Sequence, residues 1–190
     1  MADLEERANV VASGTRRTGG AGAGVRRRRA ADLADCVRAL SDVHSSDGYP
    51  VEWPARPAAW LTPDGLLAAW VAEWDGRIAG HVGLVRSGPG DPAPDLWSRR
   101  TGGRPELTVV IGRLYVAPAA RGHAAGARLL ASAVAHARAL GLQPVLDVVA
   151  DHTDALALYR RLGWTPLGSA EQRWASGRTV VVHCFAAPRE

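Results

Sequence analysis

The segment over residues 109–131 constrains the fold more than any other part of the chain. An apolar run, residues 109–116, leads into the turn Arg121-Gly122-His123-Ala124-Ala125-Gly126, and Ala127-Arg128-Leu129-Leu130 follows at once. This order predicts a strand, a tight turn and a helix. Because the turn has little side-chain bulk, its backbone N–H groups can close around an anion. The helix N-terminus adds unpaired amides and about half a positive charge. We therefore predict a phosphate-binding cradle over residues 121–127.

The residues around this cradle also resemble a known signature. The order Leu114-Tyr115-Val116-Ala117-Pro118-x-x-Arg121-Gly122-x-x-x-Gly126 is similar to the acetyl-CoA signature of the GCN5-related N-acetyltransferase (GNAT) family, whose core is Gln/Arg-x-x-Gly-x-Gly/Ala. Ala124 stands where the family usually has its first glycine. Alanine is tolerated there if φ is negative, whereas a position that requires positive φ would strain it.

A second segment, residues 146–164, resembles the same family's later motif. That motif is a strand followed by Asn-x-x-Ala-Ile-x-Leu-Tyr-x-x-x-Gly-Phe, and here His152 replaces the asparagine and Trp164 the phenylalanine. With two motifs in the family's order, the chain is identified as a GNAT member over about residues 25–186. The resemblance implies an α/β fold with a mixed, mostly antiparallel central sheet, covered by helices and with splayed central strands.

The resemblance also implies a site and a direct acetyl transfer in a ternary complex. Acetyl-CoA would be the co-substrate, and no metal is expected. Tyr159 matches the family's general acid, and Asp147 or Glu106 would be the base. The acceptor would be a small-molecule amine or a protein N-terminus. The residues expected to bind acetyl-CoA are Leu114, Tyr115, Val116, Arg121, Gly122, His123, Ala124, Ala125, Gly126, Ala127 and His152.

The same residues also allow structural interpretations. Tyr159 could pack between Leu156 and Leu162, Arg121 could be a solvated charge, and an acid at a strand end could be a cap. A catalytically weak acyl-CoA-binding module, with an arginine tail that contacts nucleic acid or ribosome, is the alternative function.

Charge and composition bound the organisation of the chain. All 23 basic residues are arginines, and the net charge of +4 comes from the first 29 residues. Residues 1–24 have few apolar groups and predict a flexible tail before a single acetyltransferase domain over residues 25–187. Arg26 to Arg29 favour a short edge strand over a nucleic-acid site. The sequence does not decide between a monomer and a homodimer. Cys36 and Cys184 are expected to be unrelated buried thiols, and the lack of long apolar segments predicts a cytoplasmic protein without a membrane partner.

Periodicity and breakers predict the remaining elements. Asp75-Gly76 is a strong hairpin signal, whereas the segment 87–105, rich in Gly and Pro, predicts a surface loop. The other expected elements are helices over 30–40, near 60, over 122–140 and from 153 to before Gly163, and strands over 67–74, 77–85, 106–116, 145–149, 165–169 and 179–185.

Overall fold

A seven-stranded sheet in the order β1-β2-β3-β4-β5-β7-β6 carries the fold. The computed structural model describes residues 24–173 and 177–189. Within these ranges the strands are β1 Gly24–Arg27, β2 Leu66–Trp74, β3 Arg77–Arg86, β4 Thr108–Val116, β5 Gln143–Val149, β6 Thr165–Arg173 and β7 Thr179–Ala186. The helices are α1 Leu33–Asp47, α2 Pro57–Trp60, α3 Pro92–Thr101, α4 Ala125–Ala139 and α5 Thr153–Arg161.

The β2–β3 hairpin forms where the sequence predicts it. Its two turn residues, Asp75 and Gly76, both have positive φ, 49° and 71°. This is the geometry that the twist of two antiparallel strands favours, and glycine and aspartate tolerate it better than most residues.

The central strands β4 and β5 separate, as the family resemblance implies. They are the only parallel neighbours in the described sheet, and they pair over three residues alone, from Thr108↔Gln143 to Val110↔Val145. On its other side β4 carries a bulge, because two of its residues, Arg113 and Leu114, lie opposite one residue of β3. Arg113 has φ of 54° there. A bulge bends its strand, and β4 leaves β5 at this point.

The two faces of the sheet are covered by different helices. On β2, Trp70 and Ala72 pack with α4, whereas Val71 between them packs with α1. This alternation follows from the two-residue period of a strand. Leu129 and Leu130 of α4 are buried, whereas Leu140 lies just beyond the helix and is 49% exposed.

The predicted loop over 87–105 is wrong, because α3 lies within it. Its prolines look like breakers in the sequence, yet Pro92 occupies the first helical position, where a missing N–H is harmless. Ala93 is fully buried and packs with Val145, Val182 and Cys184. The segment 87–105 therefore contains a packed helix that covers β5 and β7.

Several predicted boundaries also shift. Helix α1 begins at Leu33 after a 3-10 turn and runs to Asp47, seven residues past the predicted end. Strand β6 runs to Arg173. Strand β4 begins at Thr108, so Glu106 lies before it in the exposed 3-10 turn Pro105–Leu107.

Both cysteines are buried and free, as expected. No helix in the described ranges is long and apolar enough to cross a membrane.

The arginines at the start of the described chain are bound within the fold. The predicted tail lies outside the described residues except for Gly24, which begins the edge strand β1. The Arg26 guanidinium binds both Asp32, at 2.7 and 2.9 Å, and Glu73, at 2.7 Å. Asp32 is buried, and the hydrogen bond from Arg26 holds its pKa at about 2. Arg27 lies over the Trp70 ring, 4.8 Å from the centroid.

We expect Arg26→Leu to lower the free energy of unfolding by about 1–3 kcal/mol at pH 7, because it leaves the Asp32 carboxylate buried without its cation. The folded pKa of Asp32 lies below its ordinary value, so the pair stabilises the fold above pH 4 and stops doing so as the pH falls towards 2. Urea titration at pH 7 and pH 3 measures both effects. Arg38→Leu, which removes the exposed pair with Asp35, is the matched control and should change stability by no more than about 0.5 kcal/mol. An equal loss in the two variants would contradict the assignment.

Candidate active site

A groove of about 1080 Å³ opens where β4 and β5 separate. We call it the β4–β5 groove. Its walls come mainly from β4, β5, α5 and the α1–α2 connection, with one or two residues each from α1, α2, α4, the β4–α4 turn and the position before α3. Its lining includes residues 110–116, 147–149, 151–155 and 49–55, together with Asp47, Trp60, Asp91, Arg121, Gly126, Leu158 and Tyr159.

The end of β4 offers backbone groups to this groove. Beyond Val110 the strand has no register partner on β5, so one backbone edge of Leu114, Tyr115 and Val116 faces the opening. The Tyr115 phenol lies on the other face of the sheet, where it donates a 2.7 Å hydrogen bond to the Cys36 carbonyl. Only the backbone of Tyr115 is therefore available to a ligand in the groove.

The cradle predicted at residues 121–127 is a helix N-terminus without a side-chain cap. The first α4 hydrogen bond runs from the Arg128 N–H to the Ala124 carbonyl, which leaves the amides of Ala125, Gly126 and Ala127 without a helical acceptor. A Cβ at Gly126 would lie 3.5 Å from Leu158 and 3.8 Å from Val116. Those two distances are ordinary van der Waals contacts, so the free amides are the feature that fits a bound phosphate.

The two side chains of the cradle are engaged by neighbouring residues. The His123 ring stacks on Trp74, with centroids 3.9 Å apart, and it does not line the groove. Arg121 pairs with Asp47, and its Nε donates to the Val116 carbonyl at 3.2 Å. Arg121 does line the groove. The ion pair between Arg121 and Asp47 is partly exposed, and a bound phosphate would have to share the Arg121 guanidinium with Asp47.

Tyr159 lies at the floor of the β4–β5 groove. Its ring packs against Trp164 and Phe185, each with a centroid distance of 5.8 Å, and the residue is 6% exposed. The hydroxyl makes no hydrogen bond to any residue in the described ranges. Burial raises the pKa of Tyr159, and the nearby Tyr49 and Asp147 raise it further. The phenol therefore stays protonated at neutral pH.

The two carboxylates proposed as bases lie in different places. Asp147 of β5 lines the groove, and burial raises its pKa to about 6, with a smaller contribution from Asp91. Glu106 is exposed before β4 and lies outside the groove lining. Its position gives no support to a catalytic role. His152, at the start of α5, also lines the groove and meets the Tyr49 ring edge-on at 5.9 Å.

Three groove residues were missed in the sequence. Tyr49 makes ring contacts with Trp60 and His152, but neither sequence motif includes it. Asp91 was assigned to a loop, and Arg113 lies in a strand whose bulge no local pattern indicates. Among the described residues there is no group of three or more His, Cys, Asp or Glu side chains that could hold a metal.

Buried His81 supports the β4 bulge. It is fully buried, and its Nε2 lies 3.0 Å from the Arg28 Nη1. Because arginine can only donate, Nε2 accepts, and Nδ1–H donates to the Arg113 carbonyl at 3.0 Å. Burial is the main cause that lowers the pKa of His81 to about 4. The neutral ring thus ties the bulge to Arg28, which also donates to the Leu61 carbonyl at 2.7 Å.

The chain matches known acetyltransferases in sequence. The sequence model of the acetyltransferase (GNAT) family matches residues 34–164. A mycothiol acetyltransferase from Saccharomonospora viridis is 36% identical over 115 residues, which are 58% of this chain and 33% of the relative. One from Cellulomonas flavigena is 38% identical over 109 residues, 55% of this chain and 28% of the relative. The matched part is thus about a third of the length of these relatives.

Solved acetyltransferases share the fold. The ribosomal-protein-alanine N-acetyltransferase from Brucella melitensis superposes with a TM-score of 0.64 at 22% identity, over 87% of this chain and 99% of that one. Arabidopsis thaliana NAA60 in complex with acetyl-CoA gives a TM-score of 0.64 at 18% identity, over 86% and 98%.

We expect Ala124→Gly to stabilise the protein by about 0.5–1 kcal/mol. Ala124 has φ of 58°, where a Cβ costs about 1–2 kcal/mol, and the greater freedom of glycine in the unfolded chain offsets part of the gain. Ala131→Gly, at an exposed interior position of the same helix, is the control and should destabilise by about 1 kcal/mol. Urea unfolding measures both. A loss of stability in both variants would show that Ala124 is not strained.

Proposed function

Because the chain belongs to the acetyltransferase (GNAT) family, we propose that it transfers an acetyl group from acetyl-CoA directly to an amine. The observation that carries the proposal is that Tyr159 and Asp147 line one groove together with the free edge of β4 and the cradle residue Gly126. Fold alone does not name the reaction, but a protonated acid and a carboxylate that share a groove fit this one.

The coenzyme would bind along β4. The amides of Ala125, Gly126 and Ala127, with Arg121, would hold the pyrophosphate, and the backbone of residues 114–116 would hold the pantetheine arm. Acetyl-CoA supplies a thioester, whose C–S bond breaks as the bond between the amine nitrogen and the acetyl carbon forms.

Tyr159 would act as the general acid. The departing thiolate needs a proton, and the phenol carries one at neutral pH, since its ordinary pKa of about 10 is raised further by burial. Its hydroxyl has no protein acceptor among the described residues, so it is available to the ligand.

Asp147 would act as the general base and take the proton that the amine loses. With a pKa of about 6, the carboxyl is ionised at neutral pH and yet a stronger base than an exposed aspartate. One proton thus enters at Asp147 and another leaves Tyr159, which balances the transfer.

We favour a small-molecule amine as the acceptor, since relatives that match this chain in sequence are named mycothiol acetyltransferases. A protein N-terminus is the second candidate, with support only from a shared fold. The alternative is a catalytically weak acyl-CoA-binding module with an arginine tail that contacts nucleic acid or ribosome. Arg26 and Arg28 would not supply that contact, because both are bound inside the fold.

We expect Tyr159→Phe to lower turnover by roughly 10²- to 10⁴-fold, because it removes the donated proton and keeps the ring against Trp164 and Phe185. Thiol release from acetyl-CoA in the presence of an amine panel measures turnover, and calorimetry should show unchanged coenzyme affinity. Tyr49→Phe is the comparison, since it removes the other phenol hydroxyl of the groove. A larger loss in that variant, or turnover within about threefold of the parent in Tyr159→Phe, would contradict the assignment.

We expect Asp147→Asn to abolish an inflection near pH 6 in the pH profile of kcat/KM. In the parent, kcat/KM should rise with pH through about 6 as the base loses its proton. The same variant should unfold with a free energy higher by on the order of 1–3 kcal/mol at pH 8, because the folded pKa lies above the ordinary value of 3.8 and ionisation destabilises the parent as the pH rises between 4 and 6. A retained inflection would assign it to another group.

A further inference from the structure

Arg113 places a cation inside the β4–β5 groove. Its backbone lies in the bulge, and its guanidinium stands over the Trp60 ring, 5.1 Å from the centroid. Nε donates to the Trp60 carbonyl. Neither Nη nitrogen hydrogen-bonds to another residue in the part of the chain that the structure describes. Stacking and the Nε bond thus fix the side chain and leave its outer donors available.

This arginine has no carboxylate within ion-pair distance in the described ranges, unlike Arg26 and Arg121. It is half-buried, and burial lowers the pKa of Arg113. An arginine still keeps its charge in proteins, and a charge drawn out of water is costly unless it is paired. A ligand that brings an anionic group to the two Nη atoms would supply the missing partner. A planar guanidinium binds a carboxylate through two parallel hydrogen bonds.

The groove lining also carries the opposite charge. Asp147 and Asp91 line the same groove as Arg113. Tyr49 lies on the same wall as Arg113, because both side chains contact the Trp60 ring. One compartment therefore offers carboxylates for an ammonium group and a fixed guanidinium for an anion.

We propose that the acceptor is a zwitterion, an amine that also carries a carboxylate, as free amino acids do, and that Arg113 binds this carboxylate while Asp147 receives the amine. The inference rests on the proposed acetyl transfer and narrows its acceptor. A peptide N-terminus or an amino sugar lacks the nearby carboxylate and would leave Arg113 without its anion.

The first test compares free L-amino acids with their amides as acceptors, by thiol release from acetyl-CoA. The parent should use the acids at least tenfold better in kcat/KM, even though an amide's amine is less basic and more often unprotonated. Equal use of both, or a preference for amides, overturns the inference and leaves acetyl transfer intact.

The second test changes the arginine. Arg113→Gln should lower kcat/KM for the acids by about 10- to 100-fold, leave the amides within threefold, and leave the KM for acetyl-CoA unchanged. Arg27→Gln is the matched control, since Arg27 also stacks on a tryptophan but lies on β1 away from the groove. An equal loss for acids and amides in Arg113→Gln would mean that the arginine only supports the fold.

A binding measurement makes the inference independent of turnover and of the variant's folding. In the presence of coenzyme A, N-acetylglycine should bind the parent at least tenfold more tightly than N-acetylglycinamide by calorimetry. If no amine releases thiol and acetyl-CoA does not bind, the proposed function fails. If acetyl-CoA binds and the two glycine derivatives do not differ in affinity, the acceptor inference alone fails.

Discussion

The separation of β4 from β5 is the constraint on which the site depends. Two neighbouring parallel strands would normally continue their ladder, and their buried backbone groups would satisfy each other. Here the ladder stops at Val110, and the bulge at Arg113 bends β4 away. The buried His81 holds the bulge through the Arg113 carbonyl. A fully hydrogen-bonded sheet at this point would have neither a groove nor free backbone groups to line it.

Within that groove, burial and neighbouring charges shift the pKa values of two ionisable groups. The same low-dielectric surroundings raise the pKa of Tyr159 and the pKa of Asp147. The phenol, whose ordinary pKa already lies above neutrality, stays protonated at neutral pH, whereas the carboxyl becomes a stronger base that is still ionised. One physical cause thus leaves both groups in the protonation states that the proposed acid and base would need.

The sequence predicted those parts of the site that local chemistry determines. The hairpin at Asp75-Gly76 follows from turn rules and is confirmed. The helix after the cradle is also present, but α4 begins at Ala125, three residues after the predicted start at 122. The family motif supplied Tyr159 and Asp147, whose roles stay predictions. Helix α3 was missed because Pro92 looks like a helix breaker unless it is known to occupy the first position of a helix. Arg113 and Tyr49 were missed for another reason. The bulge in β4 brings Arg113 into the groove and the packing of the α1–α2 connection brings Tyr49 there, and no short sequence segment encodes either feature.

Besides Asp75 in the hairpin turn, two non-glycine residues of the described chain have positive φ, one in the groove wall and one two residues before the groove residue Gly126. Arg113 and Ala124 both have positive φ, 54° and 58°, and for residues with a Cβ this conformation costs about 1–2 kcal/mol each. Such residues persist where neighbours hold them in place. The His81 hydrogen bond and the Trp60 contact hold Arg113, and the stack of His123 on Trp74 holds the turn that contains Ala124. Aromatic contacts from β2 and α2 therefore support both of these strained residues, and the one from α2 holds Arg113 in the wall of the groove.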